Sequence, residues 1–293
     1  MSDKINNSDQ EQHRISKVYL KGFSFRDKNQ ALRICVFELG NPLMQHKHIK
    51  SFTKAVNLFD SGLADPEFTR YFEVGSSKVE TNYPKVLKAI SITGTLDQGN
   101  RDHLIRFVPN LLIRQIRYRD FFLLKIFEHP NIRTKLYNEI SIFHENPDES
   151  KKIWELVDTD LPAKEQLNLF SGEIWNHLME VLSRFTFVIL KANPNTSWFT
   201  SDNPVILEKR ENEEAWILPP QSEIYFPMSR EYLLFLYNHR VHSNNPLRKY
   251  PSDCVSVVSR ELQHEIMWNR IRISAHRYII CGDDIGEIDL RTN

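Results

Sequence analysis

The chain is poor in the features that usually announce a chemistry. Its 293 residues include only nine glycines, none set in a GxGxxG or Walker arrangement, so a phosphate-cradling loop is not expected. HExxH, GxSxG and EF-hand patterns are also absent. The three cysteines, Cys35, Cys254 and Cys281, are far apart in sequence and match no CxxC or zinc spacing. That usage points to a reducing, cytoplasmic setting without a disulfide framework. Net charge is missing too: 38 basic side chains balance 38 acidic ones. A global field that would draw nucleic acid or an anionic membrane is thereby excluded, leaving only local patches. The most apolar runs, Phe121–Leu124 and Phe185–Leu190, fall far short of the ~20 residues of a membrane-spanning helix. Met1–Gln12 is polar with no apolar stretch, so it reads as a flexible tail and not as a signal or transit peptide.

What is present suits a soluble globular protein. Hydrophobic residues make up 41% of the chain and aromatics 11%, enough for a large core. Residues 13–293 read as a single compact α+β domain, with a helical part at about 45–182 and a β-rich part at about 185–281. Near the start, residues 16–25 form either a hairpin arm or a short helix, and LRICVFEL at 32–39 favours a strand. Phe52, Val56 and Phe59 follow helical spacing, and Pro66 and Pro84 break the helical zone. Asp102–Phe127 carries an apolar stripe with Pro109 set to kink it. Further helices are expected at 131–143, 150–157 and 172–182. After Phe185 the runs FTFVILKA, SWFTSDNPVIL, AWILP, EIYFP and EYLLFLYN alternate with turn residues. They predict a C-terminal antiparallel sheet of about five strands packed against a largely helical middle region. A helix over 255–275, a last strand at 277–281 and an acidic tail close the chain. Order and content give α+β.

Chemistry concentrates at Ser201-Asp202-Asn203-Pro204, a turn between two apolar runs. A carboxylate, hydroxyl and amide there can orient a water, bind a metal or hold a substrate hydroxyl. The competing reading is conformational, because Asp and Asn favour turns and Pro ends strand pairing. His13 and His276 are candidate acid/base groups, since imidazole titrates near neutrality; surface or capping roles compete. Arg106, Asn110, Arg114 and Arg117 are spaced to share a helix face. They read either as a phosphate-binding row or, with Arg119, Asp102 and Asp120, as a solvated ion-paired surface, which neutral overall charge favours. Asn269, beside Trp268 in an apolar helix, reads as a polar tie to the Asp202 turn. Glu80 is a lone helical carboxylate.

Several segments resemble the bacterial family catalogued as domain of unknown function 4238. They are His13-Arg14-Ile15-Ser16 with Tyr19-Leu20-Lys21-Gly22-Phe23, then Phe107-Val108 with Gln115-Ile116-Arg117. The Ser201–Val205 signature follows, then Pro227-Met228-Ser229-Arg230, and finally Trp268-Asn269 through Ala275-His276-Arg277-Tyr278. Arg14 and Ser16 stand where that family has Tyr and Pro. Likewise, Tyr118-Arg119 replaces its Thr-Pro. The resemblance implies a bacterial α+β protein whose recurring polar positions are His13, Arg117, Asp202, Asn203, Asn269 and His276. The leading reading is a hydrolase with nuclease-like phosphodiester chemistry in a defence or toxin context. In it Asp202, His13 and His276 are catalytic, and Arg117, Asn203 and Asn269 hold substrate. A divalent metal is the cofactor it allows, and nucleic acid is the partner it names without support from net charge. The alternative is a non-catalytic binding or regulatory module whose SDNP turn is structural. A third reading stacks RNA bases on Trp198 and Trp216.

Overall fold

The computed structural model describes residues 11–41, 43–52, 54–56, 58–59, 71–127, 163–208 and 218–282. The helices expected at 131–143 and 150–157, Pro66, Trp216 and the acidic tail lie outside them. The fold is α+β, and its centre is a five-stranded sheet made by the C-terminal third. Its strands are β6 (Thr186–Lys191), β8 (Ile206–Glu208), β9 (Glu223–Pro227), β10 (Tyr232–Tyr237) and β11 (Val255–Val257). They run in the order β11-β6-β10-β9-β8. All pairs are antiparallel except β11 with β6, which is parallel.

Both faces of this sheet are buried, which explains the continuous apolar sequence of β10. Phe187, Ile189, Ile224, Phe226, Leu234 and Leu236 pack into a cluster with the helices. Their neighbours Val188, Leu190, Tyr225, Leu233 and Phe235 pack on the opposite side with Ile266, Met267, Ile271 and Ile279. The helical side comprises α2 (Tyr71–Glu80), α3 (Tyr83–Thr93), α4 (Gln98–Arg114), α5 (Ile116–Phe127) and α6 (Ala163–Ser183). In α6, Ile174, Leu178 and Leu182 form the buried stripe that their spacing predicts.

A second sheet corrects the expected placement of two C-terminal strands. The strand β12 (Tyr278–Cys281) lies between β3 (Leu32–Glu38) and β7 (Thr200–Ser201), in the order β2-β3-β12-β7. Here β2 is Phe25–Arg26, and β4 (Met44–His48) pairs with the other edge of β3. Cys35 and Cys281, distant in sequence, therefore face each other directly in the β3–β12 register. The start of the chain combines both expected alternatives. A short helix α1 (Lys17–Leu20), capped by the Ser16 hydroxyl, precedes the β2–β3 hairpin.

Three helix assignments are corrected. Two strands stand where a helix was expected: besides β4, β5 (Lys54–Val56) pairs with β1 (Glu11–His13), which takes up the last two residues read as tail. Three apolar residues were too few to fix a period, and strand pairing decides. The 102–127 zone divides at Gln115, whose backbone is extended, while Pro109 stays inside α4. At 255–275 the chain begins as β11, then forms α7 (Arg260–Ile266) and a π-helical turn, Met267–Arg272.

Buried hydroxyls tie these layers together. Tyr19 on α1 shares its phenol with Thr200 on β7 at 2.6 Å and with the Pro227 carbonyl on β9 at 2.7 Å. Tyr83 on α3 donates to the Met228 carbonyl at 2.6 Å and stacks on Phe107 at 3.9 Å. Replacing Tyr19 with Phe leaves the buried Pro227 carbonyl without its donor and the Thr200 hydroxyl without its acceptor, so Tyr19→Phe should lose about 1–3 kcal/mol in equilibrium chemical denaturation. An unchanged midpoint would show that this tie contributes nothing.

Candidate functional site

The Ser201–Pro204 turn is the point where the chain leaves one sheet for the other. Ser201 ends β7, and two residues after Pro204 the chain enters β8 of the central sheet. Such a crossing leaves backbone groups outside both ladders, and side chains satisfy them. Gln115 presents its amide to Val205 in both directions: its Oε1 accepts the Val205 N–H at 2.5 Å and its Nε2 donates to the Val205 carbonyl at 2.9 Å. Asn203 donates to the Ser274 carbonyl at 2.9 Å, and its own N–H reaches the Ser201 hydroxyl at 3.1 Å.

Asp202 does most at this corner. Its two carboxylate oxygens accept the backbone N–H groups of His276 and Arg277, both at 2.9 Å, while its own N–H donates to the Tyr278 carbonyl at 3.1 Å. Those bonds fix the passage from the π-helical turn into β12. Burial pushes the Asp202 carboxyl above the usual carboxylate range, and the N–H bonds pull the other way.

Arg117 works on the same passage. Its guanidinium donates to the Ile273 carbonyl at 3.4 Å and the Ala275 carbonyl at 3.1 Å, capping the end of that helical segment. Asn269 is exposed, and its carbonyl accepts from Arg270. It is therefore not the buried tie to the Asp202 turn, and Gln115 and Asn203 make that connection instead. Trp198 is fully buried, which removes it as a stacking platform.

Asp202 and His276 meet in one cleft of about 260 Å³. Arg14, Lys54 and Arg277 line it with them, and Ile15, Ile116 and Tyr278 complete its walls. Arg277 also pairs with Glu38 at 2.8 Å. His276 is exposed at this position. His13 lies beside the cleft without lining it. It stands directly opposite Lys54 in the β1–β5 register, so the two side chains share a face of that ribbon. Its Nδ1 lies 3.2 Å from the Phe52 carbonyl, which can only accept, so Nδ1 carries the proton and Nε2 keeps a lone pair. Nε2 is buried without a partner among the described residues. Burial lowers the His13 pKa, and Lys17, Lys54 and Arg114 lower it further against the raising contact with Phe52.

The arginine row does not form a single face. Arg106 and Arg117 are not buried, whereas Asn110, Arg114 and Arg119 are. Arg114 donates to the His13 carbonyl at 2.7 Å and to the Ser76 hydroxyl. It also pairs with Glu73 at 2.9 Å, has Glu80 at 3.7 Å and lies over Phe59 at 4.8 Å. Arg119 donates to Asn168 at 2.6 Å, and burial with Arg14 nearby lowers its pKa to about 10. The solvated-surface reading is thus corrected for Arg114 and Arg119, which hold the helical layer from inside.

A metal does not fit this corner. Both Asp202 oxygens face backbone N–H groups, and among the described residues no three His, Cys, Asp or Glu side chains gather to hold an ion. Sequence reasoning missed Gln115, Arg14, Lys54 and Arg277. Only adjacency to His13 and His276 marked the two arginines, and nothing local marked Lys54.

Residues 11–280 match the family described as Protein of unknown function (DUF4238), and the chain belongs to that family. No curated protein and no solved structure matches the chain. No helix among the described residues is long and apolar enough to cross a membrane.

The His13 shift sets a pH dependence. A folded pKa below the usual 6.5 means the unfolded chain binds the extra proton, so stability is full above that value and falls as pH drops through it. His103 and His177 shift the same way. Denaturation free energy should therefore decline between about pH 7 and 5, with a shallower decline in His13→Gln. An equal slope in that variant would assign the effect to the other two histidines.

Proposed function

We propose that this family member is a binding module for an anionic ligand of the phosphate-ester class, with the SDNP turn as its structural frame. The observation that carries this reading is the charge of the cleft. Arg14, Lys54 and Arg277 surround it, while its one carboxylate among the described residues, Asp202, is turned onto two backbone N–H groups. Guanidinium and ammonium groups around a small concave site favour phosphate oxygens through charge-assisted hydrogen bonds. Neutral overall charge is consistent with a local patch of this kind.

The hydrolase reading retains one supporting observation, which is that Asp202 and His276 line the same cleft as these cations. Under it His276, exposed at the rim, would carry the proton, and Asp202 would orient it. A compact single domain over residues 13–293 belongs to either proposal, because the cleft draws on both ends of the chain.

Calorimetric titration with inorganic phosphate and a dinucleotide at low salt should give saturable binding. Arg14→Ala and Lys54→Ala should each weaken it about tenfold or more. Asp202→Ala should chiefly lower stability, by about 1–3 kcal/mol. Binding unaffected by both cation variants would end the proposal. Dinucleotide cleavage by the wild type, lost in folded His276→Ala, would favour the hydrolase.

A further inference from the structure

On the other side of the central sheet, α7 and the π-helical turn cover the β8–β9 edge and leave a cavity of about 250 Å³. It shares no residue with the cationic cleft. Several polar groups in its wall satisfy one another. Glu223 accepts from Asn245 at 2.6 Å and pairs with Arg248 at 2.9 Å. Arg270 pairs with Glu208 at 2.9 Å.

What remains unsatisfied gives the cavity its character. The Tyr225 oxygen accepts from Asn245 at 2.7 Å. That amide can only donate here, so the phenolic proton is left for another partner. The Gln221 Oε1 is buried with no partner among the described residues. Glu265 adds a carboxylate on α7, and Leu262 and Ile266 form an apolar wall. The free capacity is therefore mostly acceptor and partly anionic, with one neutral donor.

We propose that this cavity binds a small organic ammonium carrying a hydroxyl or similar acceptor. Its N–H groups would go to Gln221 Oε1 and to the Glu208 and Glu265 carboxylates. Its acceptor would take the Tyr225 proton, and its carbon chain would lie against Leu262 and Ile266. Neither a phosphate nor a carboxylate suits this wall, because its one lining cation among the described residues, Arg270, already serves Glu208.

The probes are protonated aminobutanol and, as its neutral counterpart, butanediol, titrated into the full chain by calorimetry at neutral pH. Aminobutanol should bind at one site, at least about tenfold more tightly than butanediol. Tyr225→Phe, which keeps the buried ring, and Glu265→Gln should each weaken it several-fold, with thermal unfolding confirming that each variant is folded. Lys54→Ala, in the separate cleft, should bind it as the wild type does. No saturable binding, equal binding by butanediol, or variants indistinguishable from the wild type would overturn the proposal.

Discussion

The structure turns on one buried carboxylate. Asp202 sits where the chain passes from one sheet to the other, and its two oxygens hold the backbone N–H groups of His276 and Arg277. Burial disfavours its charge, and the two N–H bonds compensate for lost water. Gln115, Asn203 and Arg117 each satisfy neighbouring backbone groups in the same corner. Four side chains from two regions of the sequence, residues 115–117 and 202–203, thus close the gap between two hydrogen-bond ladders. The cationic cleft lies over this junction, so the frame and the candidate site are parts of one construction.

A similar logic governs the buried arginines. Arg114 and Arg119 sit in the helical layer with phenylalanine rings against their guanidinium planes and polar partners at their edges. An always-charged group tolerates such a position when most of its N–H donors are engaged, and among the described residues only Arg114 Nε and Arg119 Nη1 of these two groups are buried without a partner. The result is a helical layer whose position relative to β1 is set by Arg114 reaching the His13 carbonyl.

Much of this was legible in the sequence, and the gaps have physical causes. The apolar runs of β6, β9 and β10 and the stripe of α6 announced themselves, because burial on both faces or along one stripe leaves a pattern. The SDNP turn was marked too, by its cluster of polar residues between two apolar runs. What the pattern could not carry was pairing between distant segments. Polar β4, Met44-Gln45-His46-Lys47-His48, has no periodicity of its own and is a strand because β3 offers it an edge. Lys54 enters the cleft only through the β1–β5 ribbon. Asn269 looked buried by its neighbours, yet its position on the π-helical turn turns it outward.

The place of β12 has a consequence for how the molecule is made. It is an interior strand, set between β3 and β7, and its partner Cys35 lies 246 residues before Cys281. While the ribosome is still at work, β3 has one vacant side, with Ile34 and Val36 adjacent to unpaired backbone. The molecule cannot finish its second sheet until Tyr278–Cys281 has been synthesised. Closure over so long a loop is entropically slow and leaves an adhesive margin open in the meantime. The nascent chain therefore has reason to need a chaperone's cover during translation, and truncation at the far end would cost the fold an inner member of its sheet.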